Sequence, residues 1–431
     1  MGMSRIRLPA KLATYAFILA ARGTYVLMRL AVVLGLPFVL GPAALGQFGT
    51  FSALVATLPM IIGLGLAEHV VRRLATTTHG PSFRILAFHT MAGCVLAMLI
   101  SLIWIRIYPD VDALTGLLVA VVAGIEVIRS AAYVLSIARA SIIRANIAYV
   151  LSVTGPSLAV VAGFLFFHNK INIATVIAFW IATNIASTAV ALTVITRDFR
   201  RAPRTRATWK ALGRRYAGAI TTSRNIYLNQ IVDVARVYCD RMLVPLFAGF
   251  YLAGIYNFFA LASSMTVMIC NATFGQTDLP HMMKASADQA WTELERIVAA
   301  GVKRTFILPV IIMAPLFALR PLAELVMKTT IDASLYYPLT VCATLVAVAG
   351  SAADYLWYAV YAAHGERELA KTAMLTVPLT IVAVAFGAWA FGLIGASLGV
   401  ALTSAVVAWL RWRRFHDHLK SKVKSLAVEF G

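Results

Sequence analysis

The sequence predicts an all-α, polytopic membrane protein of about twelve transmembrane helices in two six-helix lobes related as a parallel repeat. Three observations predict the class. Of 431 residues, 61% are hydrophobic and 13% charged, with a mean hydropathy of +0.82, more apolar surface than a soluble chain of this size buries. The apolar residues run in stretches of about twenty, the length a helix needs to cross a bilayer. Within those stretches they are continuous, not alternating with polar residues, which excludes a β-barrel.

The expected spans are 13–40, 47–68, 85–107, 114–138, 146–168, 173–195, 225–247, 254–276, 304–327, 337–362, 372–391 and 393–411. The start "MSRIRLPAKLATYAFILAARG" has the basic and apolar parts of a secretory leader. Its apolar pattern continues through "TYVLMRLAVVLGLPFVL" without a polar break, so a retained first helix is expected. Cys94, Cys239, Cys270 and Cys342 are scattered inside spans and read as small apolar fillers, with no metal spacing and no disulfide framework.

Basic residues gather on one side. They comprise Arg5, Arg7 and Lys11; Arg72, Arg73 and Arg84; Arg139 and Arg144; the connection 196–224; Lys284, Arg296, Lys303 and Arg304; Arg367 and Lys371; and the C-terminal tail. The opposite connections carry only Lys170 and Lys328 as loop cations, so both termini are expected in the cytoplasm. The net charge of +20 is then chiefly a property of one membrane surface. A run such as "RDFRRAPRTRATWKALGRR" between two spans fits attraction to anionic lipid headgroups. Nucleic acid is not an expected partner, because no stacking aromatics or folded reading module accompany the charges. The expected domains are a lobe at 1–196, a basic linker at 197–224, a second lobe at 225–415 and a basic tail at 416–431.

The halves share marks. "GPAALGQFGTF" (41–51) and "GFYLAGIYNFF" (249–259) each bridge the first two spans of a half, aligning Gly41 with Gly249, Gly46 with Gly254 and Phe51 with Phe259. In the fifth spans, "TGPSLAV" and "TVPLTIV" align Pro156 with Pro378. An even number of spans per half makes the repeat parallel, the usual build of an alternating-access transporter.

Nine ionisable residues fall well inside spans: Arg22, Arg29, Glu126, Arg129, Asp233, Arg236, Asp240, Arg241 and Asp354. Facing lipid, each costs about 2.5–3.5 kcal/mol near a helix centre, so they must face the interior or a wet cavity. At 100° per residue, Asn229, Arg236 and Asp240 lie within about 60° of Asp233, forming a polar stripe on the seventh span. Tyr15, Arg22, Tyr25 and Arg29 align on the first span, Glu126, Arg129 and Tyr133 on the fourth, and Asp354, Trp357, Tyr358 and Tyr361 on the tenth. The stripes therefore occupy equivalent helices of the two halves. A structural alternative is neutralisation within a helix, by Asp233 and Asp240 around Arg236 and by Glu126 three residues before Arg129.

Arginine forks bind phosphate oxygens, and tyrosine or tryptophan faces suit sugar rings, although the bland role of those aromatics is helix packing. Together they suit a molecule with a phosphorylated head, sugars and a lipid tail; a hydrophilic or drug-like solute stays open. The glycine-rich "GLIGASLG" lacks the lysine of a phosphate loop, and no metal cluster or nucleophile–base pattern is discernible. External connections are short, with no loop sized for catalysis. No cofactor is expected, and transport is favoured over chemistry.

Two passages carry a resemblance: "LGPAALGQFGTFSAL" leading to "GLGLAEHVVRRLA", and "CDRMLVPLFAGFYLAGIYNFFALAS" leading to "LPHMMKA". The chain resembles the polysaccharide flippases, exporters of O-antigen and exopolysaccharide repeat units, in the superfamily of multidrug, oligosaccharidyl-lipid and polysaccharide exporters. The resemblance implies a V-shaped, two-lobed fold and flipping of an undecaprenyl-pyrophosphate-linked oligosaccharide from the inner to the outer leaflet of a bacterial plasma membrane. It implies substrate contacts from Arg22, Arg29, Arg129, Arg236, Arg241, Tyr25, Trp357 and Tyr358, and ion coupling by Glu126, Asp233, Asp240 and Asp354. A polysaccharide polymerase and other assembly proteins are the implied partners. Acids nearly balance arginines here, a departure from the cationic lumen the resemblance implies. The competing expectations are a multidrug or cation antiporter of the same fold, and a membrane glycosyltransferase, ligase or polymerase.

Overall fold

A computed structural model describes residues 8–67, 81–138, 142–166, 171–201, 209–363 and 365–429. Arg5, Arg7, Arg72, Arg73, Arg139 and Lys170 lie outside the described residues, as do the side chains of Lys11, Arg22 and Arg84.

The described chain is helical throughout. Helices α1 (Leu8–Leu40), α2 (Pro42–Gly63), α3 (Pro81–Ile105), α4 (Ala113–Ala138), α5 (Ile142–Leu165) and α6 (Ile173–Arg201) form the first half. The stretch Trp209–Cys270 is broken at Gly249 into α7 (209–248) and α8 (250–270). A wide turn at Asn271–Gly275 leads into α9 (Gln276–Ala287), then α10 (Trp291–Met313), α11 (Arg320–Met327) and α12 (Ala333–Ala362). Glu366–Glu429 is broken at Gly392 into α13 (366–391) and α14 (393–429). Ten stretches are long and apolar enough to cross a membrane, and two of them contain these breaks. Counting each broken stretch as two crossings makes twelve among the described residues, the number expected.

Hydrocarbon offers the backbone no hydrogen bonds, so uninterrupted helices are the economical solution. The chain turns sharply only where the backbone permits it. Gly249 (φ 74°, ψ 168°) and Gly392 (φ 60°, ψ −139°) adopt a region closed to residues with a Cβ. Asp112 caps α4 by accepting from the Thr115 N–H at 2.9 Å, and Asp332 caps α12 by accepting from the Ser334 N–H at 3.2 Å. Leu27, Leu99, Phe164, Ile307 and Val382 stand exposed, as lipid-facing side chains do.

The helices group into two compact units. The first contains residues 1–40 and 54–224, the second 41–53 and 225–431. In the first, the Ser157 hydroxyl donates to Met28 O (2.7 Å), joining α5 to α1, and Ser187 donates to Ala148 O (2.5 Å), joining α6 to α5. In the second, Ser263 donates to Ala343 O (2.9 Å), joining α8 to α12. Small polar residues tie membrane helices this way because no hydrophobic force separates helix contact from lipid contact.

The start of α2 belongs to the second unit for a specific reason. A Cβ on Gly46 would lie 2.0 Å from Phe250 O, and one on Gly254 would lie 1.9 Å from Pro42 O. Phe250 follows Pro42, and Gly254 follows Gly46, by the same number of residues. The two approaches are thus one contact made twice, at a single sequence offset. Gly41 and Gly249, aligned by the same offset, both have positive φ.

Three expectations change. The ninth crossing is not 304–327: it begins at Trp291, ends in a tight turn at Ala314–Phe317, and leaves Arg320–Met327 as a separate helix. The turn contains Pro315, which cannot donate to continue the ladder. Arg106 and Arg320 consequently lie outside α3 and α10, so the sparsely charged side is less bare than it reads. The basic linker becomes helical from Trp209, because Tyr216, Ala219 and Ile220 recur at helical spacing and pack on a cluster with Leu66, Leu86 and Leu135.

Candidate functional site

In the second unit, three helices converge on one charged cluster. Helix α7 supplies Asp233 and Arg236 one turn apart, α12 supplies Asp354, and α14 supplies Arg411. The Arg236 guanidinium is in contact with Asp354 Oδ1, stands 3.7 Å from Asp233 Oδ1, and donates to Gly350 O at 3.5 Å. Gly350 makes room for it, since a Cβ there would lie 3.1 Å from Nη1. Arg411 donates to Ala353 O at 2.9 Å and reaches Asp233 Oδ1 at 3.5 Å. Two acids and two arginines thus offset one another. The Arg236 and Arg411 side chains are 4% and 2% exposed, Asp354 19% and Asp233 43%. The accessible member is therefore a carboxylate, with both guanidinia sealed behind it.

One turn further along α7, Asp240 and Arg241 separate. The Asp240 carboxylate accepts from the Tyr256 hydroxyl of α8 at 2.5 Å. Arg241 is buried, donating to Ala260 O at 3.2 Å and to the Ser264 hydroxyl, while its own carbonyl accepts from Thr50 at 3.1 Å. A cavity of about 80 Å³, bordered by Arg236, Asp240, Arg241, Tyr256 and Ser404, lies beside them. It has the size and polarity of a site for a few bound waters. Asp240 therefore does not neutralise Arg236 within α7, as spacing alone allows; a neighbouring helix engages it.

In the first unit, α4 carries the Glu126–Arg129 pair. Arg129 Nε donates to Glu126 Oε2 at 2.7 Å, Nη2 closes the fork on Oε1, and Asn184 of α6 donates to Oε2 at 3.4 Å. On α1, Arg29 is half-buried, donates to the Tyr25 hydroxyl at 3.2 Å and stacks over its ring at 5.6 Å. Tyr25 stacks on Tyr149 of α5 (4.6 Å, 20°), and Tyr149 contacts Tyr133 of α4 (5.8 Å). Three helices thereby supply a run of aromatic faces ending in a guanidinium. The Arg22 side chain lies outside the described residues.

Trp357 and Tyr358 are half-buried in the second unit. Trp357 stacks on Tyr361 (5.2 Å, 5°), and both Trp357 and Tyr358 pack against a cluster with Leu294, Tyr355 and Phe415.

The coordinates of the chain match solved transporters over nearly its whole length. An inward-facing multidrug resistance transporter of the MATE family in the MOP superfamily has TM-score 0.68 at 12% identity, covering 93% of this chain and 95% of that one. The lipid II flippase MurJ, in an inward closed conformation, has TM-score 0.67 at 12% identity, covering 96% and 92%. A MOP superfamily transporter from Pyrococcus furiosus, described by a reverse polarity of its binding pocket, has TM-score 0.53 at 11% identity, covering 94% of each. The chain has their fold. No protein-family model and no curated protein matches the sequence.

Sequence reasoning missed Arg411, Tyr149 and Asn184, and the bond that Tyr256 makes to Asp240. Arg411 had a readable signal, because Ser397, Ser404 and Arg411 recur every seven residues and are all buried. It was obscured by the basic run "RWRR" that continues past it, which reads as a span end. The tyrosines carried no signal, since only the packing of α5 on α1, and of α8 on α7, gives them partners.

Proposed function

We propose that the protein flips an undecaprenyl-pyrophosphate-linked oligosaccharide from the inner to the outer leaflet of a bacterial plasma membrane, by alternating access, for surface polysaccharide synthesis. In this reading both termini are cytoplasmic, anionic lipids contact the basic surface, and a polysaccharide polymerase acts downstream. The observation that carries it is Arg29 at the end of the Tyr25–Tyr149–Tyr133 run. A guanidinium fork is suited to phosphate oxygens, and the part-exposed rings of Tyr133 and Tyr149 to sugars.

Apart from the exposed Asp233, the described intramembrane acids are covered by protein partners, so they disfavour a cationic cargo everywhere but at that one carboxylate. Glu126 is forked by Arg129, Asp354 and Asp233 are matched by Arg236 and Arg411, and Asp240 is bonded to Tyr256 beside Arg241. A carrier of organic cations needs a carboxylate left for its cargo. Asp233, the exposed acid of the cluster that holds Arg236 and Arg411, is the candidate for ion coupling. Outward movement of an anionic head is aided by an inside-negative potential, by roughly 2.3 kcal/mol per charge per 100 mV.

The test is the leaflet distribution of the lipid-linked oligosaccharide in cells carrying Arg29→Ala, with Arg29→Lys as the conservative variant. Arg29→Ala is expected to hold the oligosaccharide in the inner leaflet at normal protein level, with partial recovery in Arg29→Lys. Normal outward movement in Arg29→Ala, or greater sensitivity to cationic drugs as the only phenotype, overturns the proposal.

A further inference from the structure

The second unit carries an apolar groove of about 930 Å³ on α10, α12, α13 and α14. Its floor is made of small residues because α13 and α14 nearly touch. A Cβ on Gly387 would lie 2.2 Å from Gly395 O, and one on Gly395 would lie 2.1 Å from Gly387 O. Ala349 and Ala352 of α12 continue the floor, and Phe306, Phe386 and Trp409, all more than half exposed, rise as its walls. From Gly395 to Trp412 the groove follows α14 for about 26 Å, most of the depth of a hydrocarbon core. A helix face meant only for bulk lipid has no need of such a trough.

One end of the groove is chemically distinct. Leu398, Leu402, Ala405 and Trp409 line it at successive turns of α14, and Arg413 occupies the next position of the same stripe. The Arg413 guanidinium lies over the Trp409 ring at 5.8 Å. Its side chain is 64% exposed, and its carboxylate neighbour Asp417 stands at 3.9 Å, both features of a weak pair. Tryptophan marks headgroup depth, and an exposed arginine there faces phosphate. An apolar trough that crosses most of the hydrocarbon core, closed by a stacked cation, is complementary to an apolar chain ending in a phosphate.

We propose that this groove seats the polyprenyl chain of the lipid-linked substrate, with Arg413 at its phosphate end. The identity of the lipid rests on the function proposed above, while the geometry rests on the groove alone. The groove seats the lipid before its phosphate passes to Arg29.

The experiment places a photoreactive benzoylphenylalanine at Leu402 of the full chain in membrane vesicles and adds radiolabelled undecaprenyl phosphate. The expected result is a labelled adduct, displaced by unlabelled undecaprenyl phosphate and not by phosphatidylglycerol at equal mole fraction. Ala405→Trp from α14 and Ala349→Phe from α12 fill the trough from opposite sides, and each is expected to abolish the adduct. Arg413→Gln is expected to weaken it about fivefold, with Arg413→Lys near normal, the effect of one surface charge on an anionic lipid. Equal displacement by phosphatidylglycerol, or an adduct indifferent to both filling variants, overturns the proposal. An adduct that behaves as expected in a protein whose deletion leaves the oligosaccharide's leaflet distribution unchanged refutes the proposed function and leaves the groove standing. Oligosaccharide flipping that depends on the protein but survives both filling variants does the reverse.

Discussion

Truncating Arg236 while Asp354 remains would strand a carboxylate inside the second unit. At 3.7 Å, the Arg236–Asp233 attraction is about 4 kcal/mol for an effective permittivity of ~20. Solvent reduces that figure, because the Asp233 side chain is 43% exposed. The Asp354 contact is closer and better covered, so it holds the larger share. Breaking a buried pair by removing one partner costs about 3–5 kcal/mol, most of it from the charge left behind. Arg236→Met and Asp354→Leu are each expected to destabilise by that amount. Arg236→Met/Asp354→Leu removes both charges and leaves Arg411 to serve Asp233. It is expected to fall well short of the sum, with a coupling energy of about 2–3 kcal/mol. The assay is the midpoint of heat-induced loss of the monodisperse protein in one detergent, compared across the four proteins. A double variant whose midpoint drops by the sum of the two single drops would refute the reasoning.

Arg411→Met should cost about 3 kcal/mol in the same assay, by leaving Ala353 O and Asp233 without their donor, and Arg411→Lys should not restore it because an ammonium lacks the fork. Gly46→Ala and Gly254→Ala should be similarly harmful, each by at least about 1–3 kcal/mol, since each Cβ meets backbone within 2.0 Å; Gly23→Ala, with nothing within 4 Å, should be neutral or stabilising. Tyr256→Phe should destabilise by about 1.5–3 kcal/mol through loss of the 2.5 Å bond to Asp240, read as a lower melting midpoint with unchanged helicity. The cap bonds from Thr115 hold the Asp112 carboxyl below its ordinary value. Its contribution is therefore fully present above pH ~4 and lost as pH falls through the lowered value. Asp112→Ala should cost about 1 kcal/mol at neutral pH and progressively less in acid, measured by amide exchange at the start of α4.

Most of the fold is legible in the sequence, and so is part of the site. Length and continuity of the apolar runs locate eleven of the crossings closely, since crossing hydrocarbon is a local demand on each segment. The ninth was misplaced because "APLFALRPLAELVM" is apolar enough to continue a span, while Pro315 and a tight turn end it. Helical angle put Asp233, Arg236 and Asp240 on one face of α7, which holds, but angle within one helix cannot say which charge meets which. Asp240 went to Tyr256 and Asp233 to Arg411, through contacts more than a dozen residues away in sequence.

Composition and the run lengths by themselves determined that this chain is a bundle of membrane helices, and the aligned glycines at 41, 46, 249 and 254 determined that it is a repeat. Both follow from costs each residue meets where it stands: apolar length against hydrocarbon, and a φ or a helix contact that admits no Cβ. Only the tertiary structure decided that Arg236 and Arg411 are sealed while Asp233 is open, and that Arg29 ends a run of tyrosines. Charge pairing acts between helices over a few ångströms, so it depends on which helices are neighbours, and that is not written in any one of them.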